Sequence, residues 1–207
     1  MRWTPNHIPE ILDALGQHLL LVFVSVLIAF AISLFLGIWG ARRPAIYAVI
    51  IFITGAIFVI PSLALFALLI PFMGLGTKPA IAGLMAYCLL TLVRNVAMGL
   101  RAVPAEVLDA ADGMGFGYWQ RLGKIELPLA LPYIVSGLRI ATVTAIGIAT
   151  VAAYINAGGL GTIIFAGIDQ RYPEKIIVGG LLTSLLAISA DVLLSRVERR
   201  LRAYRAV

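Results

Sequence analysis

A glycine-rich segment near the middle of the chain carries residue types that could cradle a nucleotide phosphate: Gly113, Gly115, Gly117 and the pair Gly123-Lys124. A phosphate-binding loop needs the spacing G-x-x-x-x-G-K-[ST] after a strand, because its backbone N–H groups and its lysine surround the phosphates. Tyr118 stands where the first glycine is required, and Ile125 replaces the Ser or Thr. The sequence therefore predicts no catalytic residue and no ATP site in this chain.

Other residues that could do chemistry are few and scattered. His7 and His18 are interpreted as polar residues at a membrane interface, because no third metal ligand accompanies them. Asp191 lies inside an apolar run, where an acid is a functional candidate by default, but Arg196 nearby favours structural pairing or snorkelling over a proton relay. Cys88 is predicted to be a small buried hydrophobe. We predict no metal, no cofactor and no disulfide.

The composition places the chain in a membrane. Hydrophobic residues make up 61% and charged residues 13%, and the mean hydropathy is +1.02, far beyond soluble globular proteins. The net charge of +6 could suggest nucleic acid, but many basic residues flank apolar runs, where membrane topology explains them. Nucleic-acid binding is therefore excluded, and the bilayer is the expected surroundings.

Five apolar runs are predicted to be membrane-spanning helices: residues 19–39, 45–72, 80–100, 131–153 and 176–194. Residues 1–18 are predicted to form a separate amphipathic helix at the interface. Four of the 16 Lys and Arg residues (Arg2, Lys78, Arg171, Lys175) fall on the outer side and the other twelve on the inner side. The inner ones include Arg94 and Arg139, read as boundary anchors, and the C-terminal Arg196, Arg199, Arg200, Arg202 and Arg205. The charge distribution predicts an outer N-terminus and an inner C-terminus.

Pro61 interrupts the second run. Proline removes a backbone hydrogen bond, so a kink or break is expected there, with the freed carbonyl satisfied by a neighbour or a cavity. Cutting the run into two short spans is the alternative. That cut would put Arg42-Arg43 and Arg94 on opposite sides of the membrane, whereas the charge rule puts them on the same side.

The loop of residues 104–128 should form a compact helix-turn-helix on the inner side. Pro104 suits the first turn of a helix, and Gly115 is predicted to end that helix. A second short helix, 118–124, should follow before Pro128 and Pro132 return the chain to the membrane. Small side chains at Ala110-Ala111 would let another protein approach the backbone closely. The residues expected on one apolar face are Val103, Val107, Ala110 and Met114, with Glu106, Asp109 and Asp112 on another face.

The spacing within this loop resembles a known family. Asp109-Ala110-Ala111, then three residues, Gly115, nine residues and Ile125-Glu126-Leu127-Pro128 is similar to the EAA loop of permeases in binding-protein-dependent ABC importers. The family usually has Glu where Asp109 stands, which bears on the detailed contact made there. The resemblance implies that Glu106 through Gly115 form the coupling helix that sits in a cleft of a cytoplasmic ATPase. The coupling residues it implies are Glu106, Asp109, Ala110, Ala111, Gly115, Ile125, Leu127 and Pro128.

Four further stretches resemble the permeases of glycine betaine, choline and carnitine importers: residues 60–66, 74–80, 92–95 and 156–161. Permeases for methionine share the architecture. The resemblance implies a permease domain over 19–207 in a bacterial inner membrane and a second permease copy or paralogue. It also implies an external binding protein, separate ATPase subunits and transport by alternating access. Pro61 and Ser62 are the candidate residues near the substrate pathway.

Two alternatives stay open at this point. One is a related importer for another small solute, such as an amino acid. The other is a secondary transporter or channel that needs no ATPase, which would be expected to show paired intramembrane charges or an inverted repeat. The sequence shows neither of these clearly.

Overall fold

The structure, a computed structural model, describes residues 3–205, except for the side chains of 6 and 202–205. Arg2, together with the side chains of Arg202 and Arg205, lies outside the described residues. No β-strand occurs within 3–205, so the predicted all-α class is confirmed. The helices are α1 (Ile8–Arg42), α2 (Pro44–Val59), α3 (Ser62–Met73), α4 (Thr77–Arg101), α5 (Ala105–Gly113), α6 (Tyr118–Arg121), α7 (Leu127–Ala152), α8 (Leu160–Asp169) and α9 (Pro173–Arg205).

Four helical stretches of the described chain are long and apolar enough to cross a membrane: Ile8–Arg42, Thr77–Arg101, Tyr118–Ile155 and Pro173–Leu201. A fifth crossing is present if α2 and α3, which meet at a bend of 100°, form one broken span. The chain is therefore an integral membrane protein with several crossings. We call the end of the bundle that holds Arg42 the inner end and the end that holds His18 the outer end.

The first helix is longer than the sequence analysis predicted. α1 has 35 residues, about 52 Å at 1.5 Å per residue, and a hydrocarbon core is only about 30 Å thick. The predicted separate interfacial helix over 1–18 is wrong from Ile8 onward, because that part continues directly into the span. Ile11 and Ala14 are buried in a small core with Leu160 and Ile163. This packing holds the segment against α8 and prevents a separate interfacial helix.

The bundle is centred on α4, which packs against α1 on one side and α7 on the other. Small residues make these contacts close: a Cβ placed on Gly37 would lie 2.6 Å from the Val96 Cβ, and one on Gly137 would lie 2.5 Å from the Asn95 Cβ. Close approach is the main source of helix association where lipid is as apolar as the side chains. Cys88 is buried on α4, as predicted, with 2% exposure.

The break predicted at Pro61 is present between α2 and α3. The Ile60 N–H turns back to the Ile57 carbonyl at 3.1 Å, and the Ile60 carbonyl accepts a hydrogen bond from the Tyr87 hydroxyl of α4. At the far end of α3, Gly76 N donates to Ile155 O at 2.8 Å. The bent pair thus begins beside Arg43 at the inner end and finishes at the outer end.

His18 organises the outer end. It is fully buried, and its Nδ1 accepts the Leu160 N–H at 3.3 Å, so Nε2 carries the proton donated to Ile146 O at 3.1 Å. Gln17 accepts the Gly159 N–H at 3.0 Å. His18 is therefore a buried anchor for the loop before α8, and its predicted place at the interface is wrong. His7 instead stacks on Trp3, with ring centroids 4.7 Å apart.

We expect Tyr87→Phe to destabilise the bend. Without the hydroxyl, the Ile60 carbonyl loses its partner from α4, at a cost of about 1–3 kcal/mol for an unsatisfied buried acceptor. Thermal unfolding in detergent should show the loss as a lower midpoint. Tyr154→Phe is the control, because Tyr154 is 68% exposed. Equal midpoints for the two variants would contradict the role of the Tyr87 hydroxyl.

Candidate functional site

The inner loop begins with α5, whose two ends are fixed as the sequence analysis predicted. Pro104 precedes the first turn, and its carbonyl accepts the N–H groups of Val107 and Leu108 at 3.2 and 3.3 Å. At the other end Gly115 has φ +78°, a left-handed conformation that glycine adopts without a Cβ penalty. Gly115 N donates to Asp112 O at 3.0 Å and Phe116 N donates to Ala111 O at 3.1 Å. This pair of bonds is the Schellman arrangement that ends helices.

The exposed face of α5 differs from the prediction. Ala111 is completely buried, whereas Ala110 is exposed and Met114 is 68% exposed. Met114 lies past the last turn of α5, so helical spacing does not place it on the apolar face. Of the remaining residues implied by the resemblance, Glu106, Asp109, Gly115 and Pro128 are exposed, and Ile125 and Leu127 are half-buried.

The second short helix predicted over 118–124 begins at Tyr118, but it is not separated from the span that follows. The chain from Tyr118 runs through α6 and one wide π turn, Leu122–Glu126, directly into α7, giving a continuous helical stretch to Ile155. Pro128 lies in the first turn of α7 and Pro132 inside it. Proline cannot donate to the carbonyl four residues earlier and its ring clashes with that carbonyl. The helix widens in the turn just before Pro128 and then continues through both prolines.

Four charged side chains meet where α5, the π turn and α1 come together. Arg121 Nη1 lies 2.6 and 2.5 Å from the two carboxylate oxygens of Asp112, and Arg121 Nε donates to Glu126 Oε1 at 3.0 Å. The other Glu126 oxygen accepts from Arg42 at the end of α1. The side chain of Glu126 is 1% exposed, whereas that of Asp112 is 54% exposed. We call Asp112, Arg121, Glu126 and Arg42 the ionic chain.

Arg101 completes the inner end. It donates to the Gly40 and Ala41 carbonyls of α1 at 2.9 and 3.4 Å, and its guanidinium lies 4.2 Å from the Tyr47 ring centroid. A cation at the last carbonyls of a helix satisfies unpaired acceptors and complements the helix dipole. The last turn of α1 is therefore fixed by α4 as well as by the ionic chain.

An exposed aromatic patch borders the loop. Trp119 is 78% exposed and Tyr118 44%, and their ring centroids lie 5.0 Å apart in an edge-on arrangement. Sequence reasoning did not single out this patch, although two consecutive aromatic residues in a polar loop were a signal for it. Together with Met114, it gives the inner loop an uncovered apolar surface beside the acidic Glu106 and Asp109.

Comparison with known proteins identifies the family. The sequence model of the family described as "binding-protein-dependent transport system inner membrane component" matches residues 33–203. This chain belongs to that family. The carnitine transport permease protein OpuCB of Listeria monocytogenes is 36% identical over 185 residues, covering 89% of this chain and 85% of the relative. The glycine betaine/carnitine/choline transport system permease protein OpuCB of Bacillus subtilis is 35% identical over 191 residues, covering 92% and 88%.

A solved structure agrees on the fold of this permease. An inward-facing conformation of the MetNI methionine ABC transporter matches with a TM-score of 0.83 at 23% identity, covering 95% of this chain and 98% of that chain. Membership of the family makes this chain a transport component of a binding-protein-dependent system.

The spans of the permease contain one charge pair that sequence analysis did not find. Arg139 Nε and Nη2 donate to Asp191 at 2.5 and 3.0 Å, and Arg139 Nη1 lies 3.4 Å from Glu198. The partner expected for Asp191 was Arg196, five residues away on the same helix. The structure instead pairs Asp191 across helices with Arg139, so Arg139 is more than a boundary anchor. A two-bond arginine–carboxylate pair joins α7 to α9 with defined geometry.

The candidate pathway residues lie apart from the inner loop. Pro61 is exposed and Ser62 half-buried at the bend between α2 and α3. Tyr87, which supports that bend, is about 21 Å along α4 from Arg101 at 1.5 Å per residue. The structure does not bring Pro61 and Ser62 together with the loop residues, so the two sets form separate regions of the permease.

We expect Gly115→Ala to loosen the end of α5. A Cβ at either Gly115 or Gly113 meets no atom within 4 Å, so the two variants differ mainly in backbone conformation. Alanine at φ +78° costs about 1–2 kcal/mol, which corresponds to a roughly 5–30-fold faster hydrogen exchange of the Phe116 amide. Gly113→Ala, in helical conformation, is the control and should leave or slow that exchange. Equal rates in both variants would show that Gly115 does not fix the helix end.

Proposed function

We propose that this permease imports quaternary-amine osmoprotectants such as glycine betaine, choline or carnitine, driven by ATPase subunits on the cytoplasmic side of a bacterial inner membrane. The relatives' names support the substrate class, and the uncovered inner loop supports the ATPase. The N-terminus would lie outside and the C-terminus inside. A related importer for an amino acid is the alternative within the family, and an ATP-independent transporter or channel is the alternative outside it.

The surface proposed to receive the ATPase is the exposed side of the inner loop. Glu106, Asp109 and Ala110 supply its acidic and small residues, and Met114 and Trp119 supply apolar area of the kind enriched at interfaces. Ala111 packs on the buried side of α5 and Gly115 ends this helix, whereas Ile125, Leu127 and Pro128 lie where the loop joins the spans. The observation that carries the proposal is that this surface lies at the Arg-rich end of the bundle and is left uncovered by the described chain.

The proposed pathway forms between two permeases. The bent pair α2 and α3 exposes large apolar side chains, including Phe52 at 76%, Val59 at 82% and Phe72 at 86%, which need lipid or a second copy to cover them. Pro61 and Ser62 lie on this same bent pair. A binding protein would deliver solute at the outer end, where His18 and Gln17 hold the loop before α8. Alternating access is then a two-state equilibrium of the dimer that ATP binding shifts.

Reconstitution into proteoliposomes tests the proposal. The permease is combined with candidate ATPases and a binding protein, and uptake of labelled glycine betaine, choline, carnitine and methionine is measured. We expect uptake of a quaternary amine that stops with a hydrolysis-dead ATPase. Uptake of methionine alone would favour the amino-acid alternative. Uptake that is unaffected by the dead ATPase would favour the ATP-independent alternative and overturn the proposal.

We expect the double variant Glu106→Lys, Asp109→Lys to weaken ATPase association. Reversing two exposed charges at the proposed interface should reduce co-purified ATPase by about tenfold or more, equivalent to roughly 1.4 kcal/mol. The matched control is Glu10→Lys, Asp13→Lys, which makes the same charge change on the exposed outer part of α1. If both double variants retain the ATPase equally, the docking surface lies elsewhere.

A further inference from the structure

The ionic chain links the exposed inner loop to a buried carboxylate and to the end of α1, and docking of an ATPase on the loop surface does not require this link. Its charges alternate in sign from Asp112 on the exposed loop, through Arg121 and Glu126, to Arg42 at the end of α1. Glu126 is the buried member, with 1% exposure, and it lies between two guanidinium groups. Each of its two carboxylate oxygens accepts a hydrogen bond from a guanidinium group. The arrangement therefore fixes the relative positions of three separate segments.

The π turn is what allows Arg121 and Glu126 to meet. Residues five apart point about 140° away from each other around a regular α-helix, so they do not pair. A turn closed by an i→i+5 hydrogen bond, here from Leu127 N to Leu122 O, brings such residues to nearly the same side. The backbone departs from regular helix at the place where the two side chains face each other.

The attachment of α5 to the spans is otherwise slight. Within the described residues, α5 packs against α6 more than against any other helix, and Ala111 is its one fully buried side chain. The contact of Arg121 Nη1 with both carboxylate oxygens of Asp112 adds a connection from α5 to the long helix that begins at Tyr118. Glu126 extends that connection to Arg42 and so to α1.

We propose that Arg121 and Glu126 transmit the movement of α5 to α1, so that the inner loop and the first span move as one body. This inference rests on the proposed function, because it assumes that an ATPase displaces α5. α1 is unbroken from Arg42 back to Gln17 and His18, which hold the Gly159-Leu160 backbone at the outer end. Displacement of α5 thereby reaches the outer loop through one helix. Arg121 and Glu126 act as positioning residues.

Glu126→Gln tests the linkage in the reconstituted complex with ATPase and binding protein. The variant keeps the side-chain shape and removes the buried charge. We expect ATPase to co-purify in the normal amount and basal hydrolysis to persist, while stimulation by loaded binding protein and solute uptake per ATP fall at least about tenfold. The control is Glu198→Gln, because Glu198 is also buried and also contacts an arginine but lies outside the ionic chain. Glu198→Gln should show the same stimulation of hydrolysis and the same uptake per ATP as the unaltered permease.

A distance measurement separates transmission from simple stabilisation. Spin labels at the exposed positions Gly113, at the end of α5, and Arg43 report the separation of the loop from the end of α1. We expect that distance to stay constant between nucleotide-free and ATP-trapped complexes of the unaltered permease, and to change in Glu126→Gln. If Glu126→Gln cannot be recovered folded, Arg121→Lys carries the test, since lysine keeps the charge but cannot make the forked contacts of arginine.

The outcomes distinguish a failure of the proposed function from a failure of the proposed linkage through Arg121 and Glu126. If the unaltered permease fails to bind or stimulate any ATPase, the proposed function fails. Suppose that the unaltered permease shows normal stimulation of hydrolysis and normal uptake per ATP. If Glu126→Gln or Arg121→Lys shows the same values, the ionic chain does not transmit movement and the inference is overturned. A distance between the labels that stays constant in the variant would also overturn the inference.

Discussion

In the hydrocarbon interior of a membrane every backbone N–H and C=O must find its partner inside the protein, and this requirement accounts for most of the fold. Long helices satisfy it without help. Where the helix is interrupted, a side chain from another helix supplies the partner. Tyr87 does so for the carbonyl at the Pro61 bend, and Gln17 and His18 do so for the turn before α8. These two irregular segments are thus tied to regular helices, the bend to α4 and the turn before α8 to α1.

The loop before α8 and the inner end meet this requirement with different chemistry. The loop before α8 is held by uncharged side chains, an amide and an imidazole, both on α1. At the inner end Arg42, Arg101 and Arg121 each reach a carbonyl or a carboxylate. Charge-assisted hydrogen bonds are stronger and more directional than neutral ones. We therefore expect the contacts of these three arginines to resist separation more strongly than those that hold the loop before α8.

Much of the fold could be predicted from sequence, because its signals are local. Local sequence is enough to predict the apolar runs as helices. It is also enough to predict the bend at the proline at position 61 and the helix end at the glycine at position 115. The missed features depend on long-range geometry. His18 is a buried anchor only because residues far along the chain meet it, and Asp191 pairs with Arg139 across helices. Arg121 and Glu126 were missed because five-residue spacing does not predict a contact on a regular helix, and the π turn had no clear signal.

In the candidate site, the sequence predicted where α5 ends, but it did not predict which side chains of α5 are buried and which are exposed. Gly115 ends α5 as expected, yet Ala111 points inward and Ala110 outward. Helical projection orders residues around an axis, but it does not say which side of that axis the rest of the protein covers. The position of α5 beneath the bundle decides that, and it depends on contacts with residues outside the helix, such as Asp112 with Arg121.

The length of α1 has a consequence for the bilayer itself. Between His18 and Arg42, where polar contacts hold it at both ends, the helix is about 36 Å long at 1.5 Å per residue, against a hydrocarbon thickness of about 30 Å. A rigid helix of that length fits by tilting or by thickening the lipid around it. Changes of membrane thickness would then alter the tilt of α1, and a change of tilt shifts the outer loop sideways relative to the inner one. The lipid surroundings thereby act on the same helix that joins the two faces of the permease.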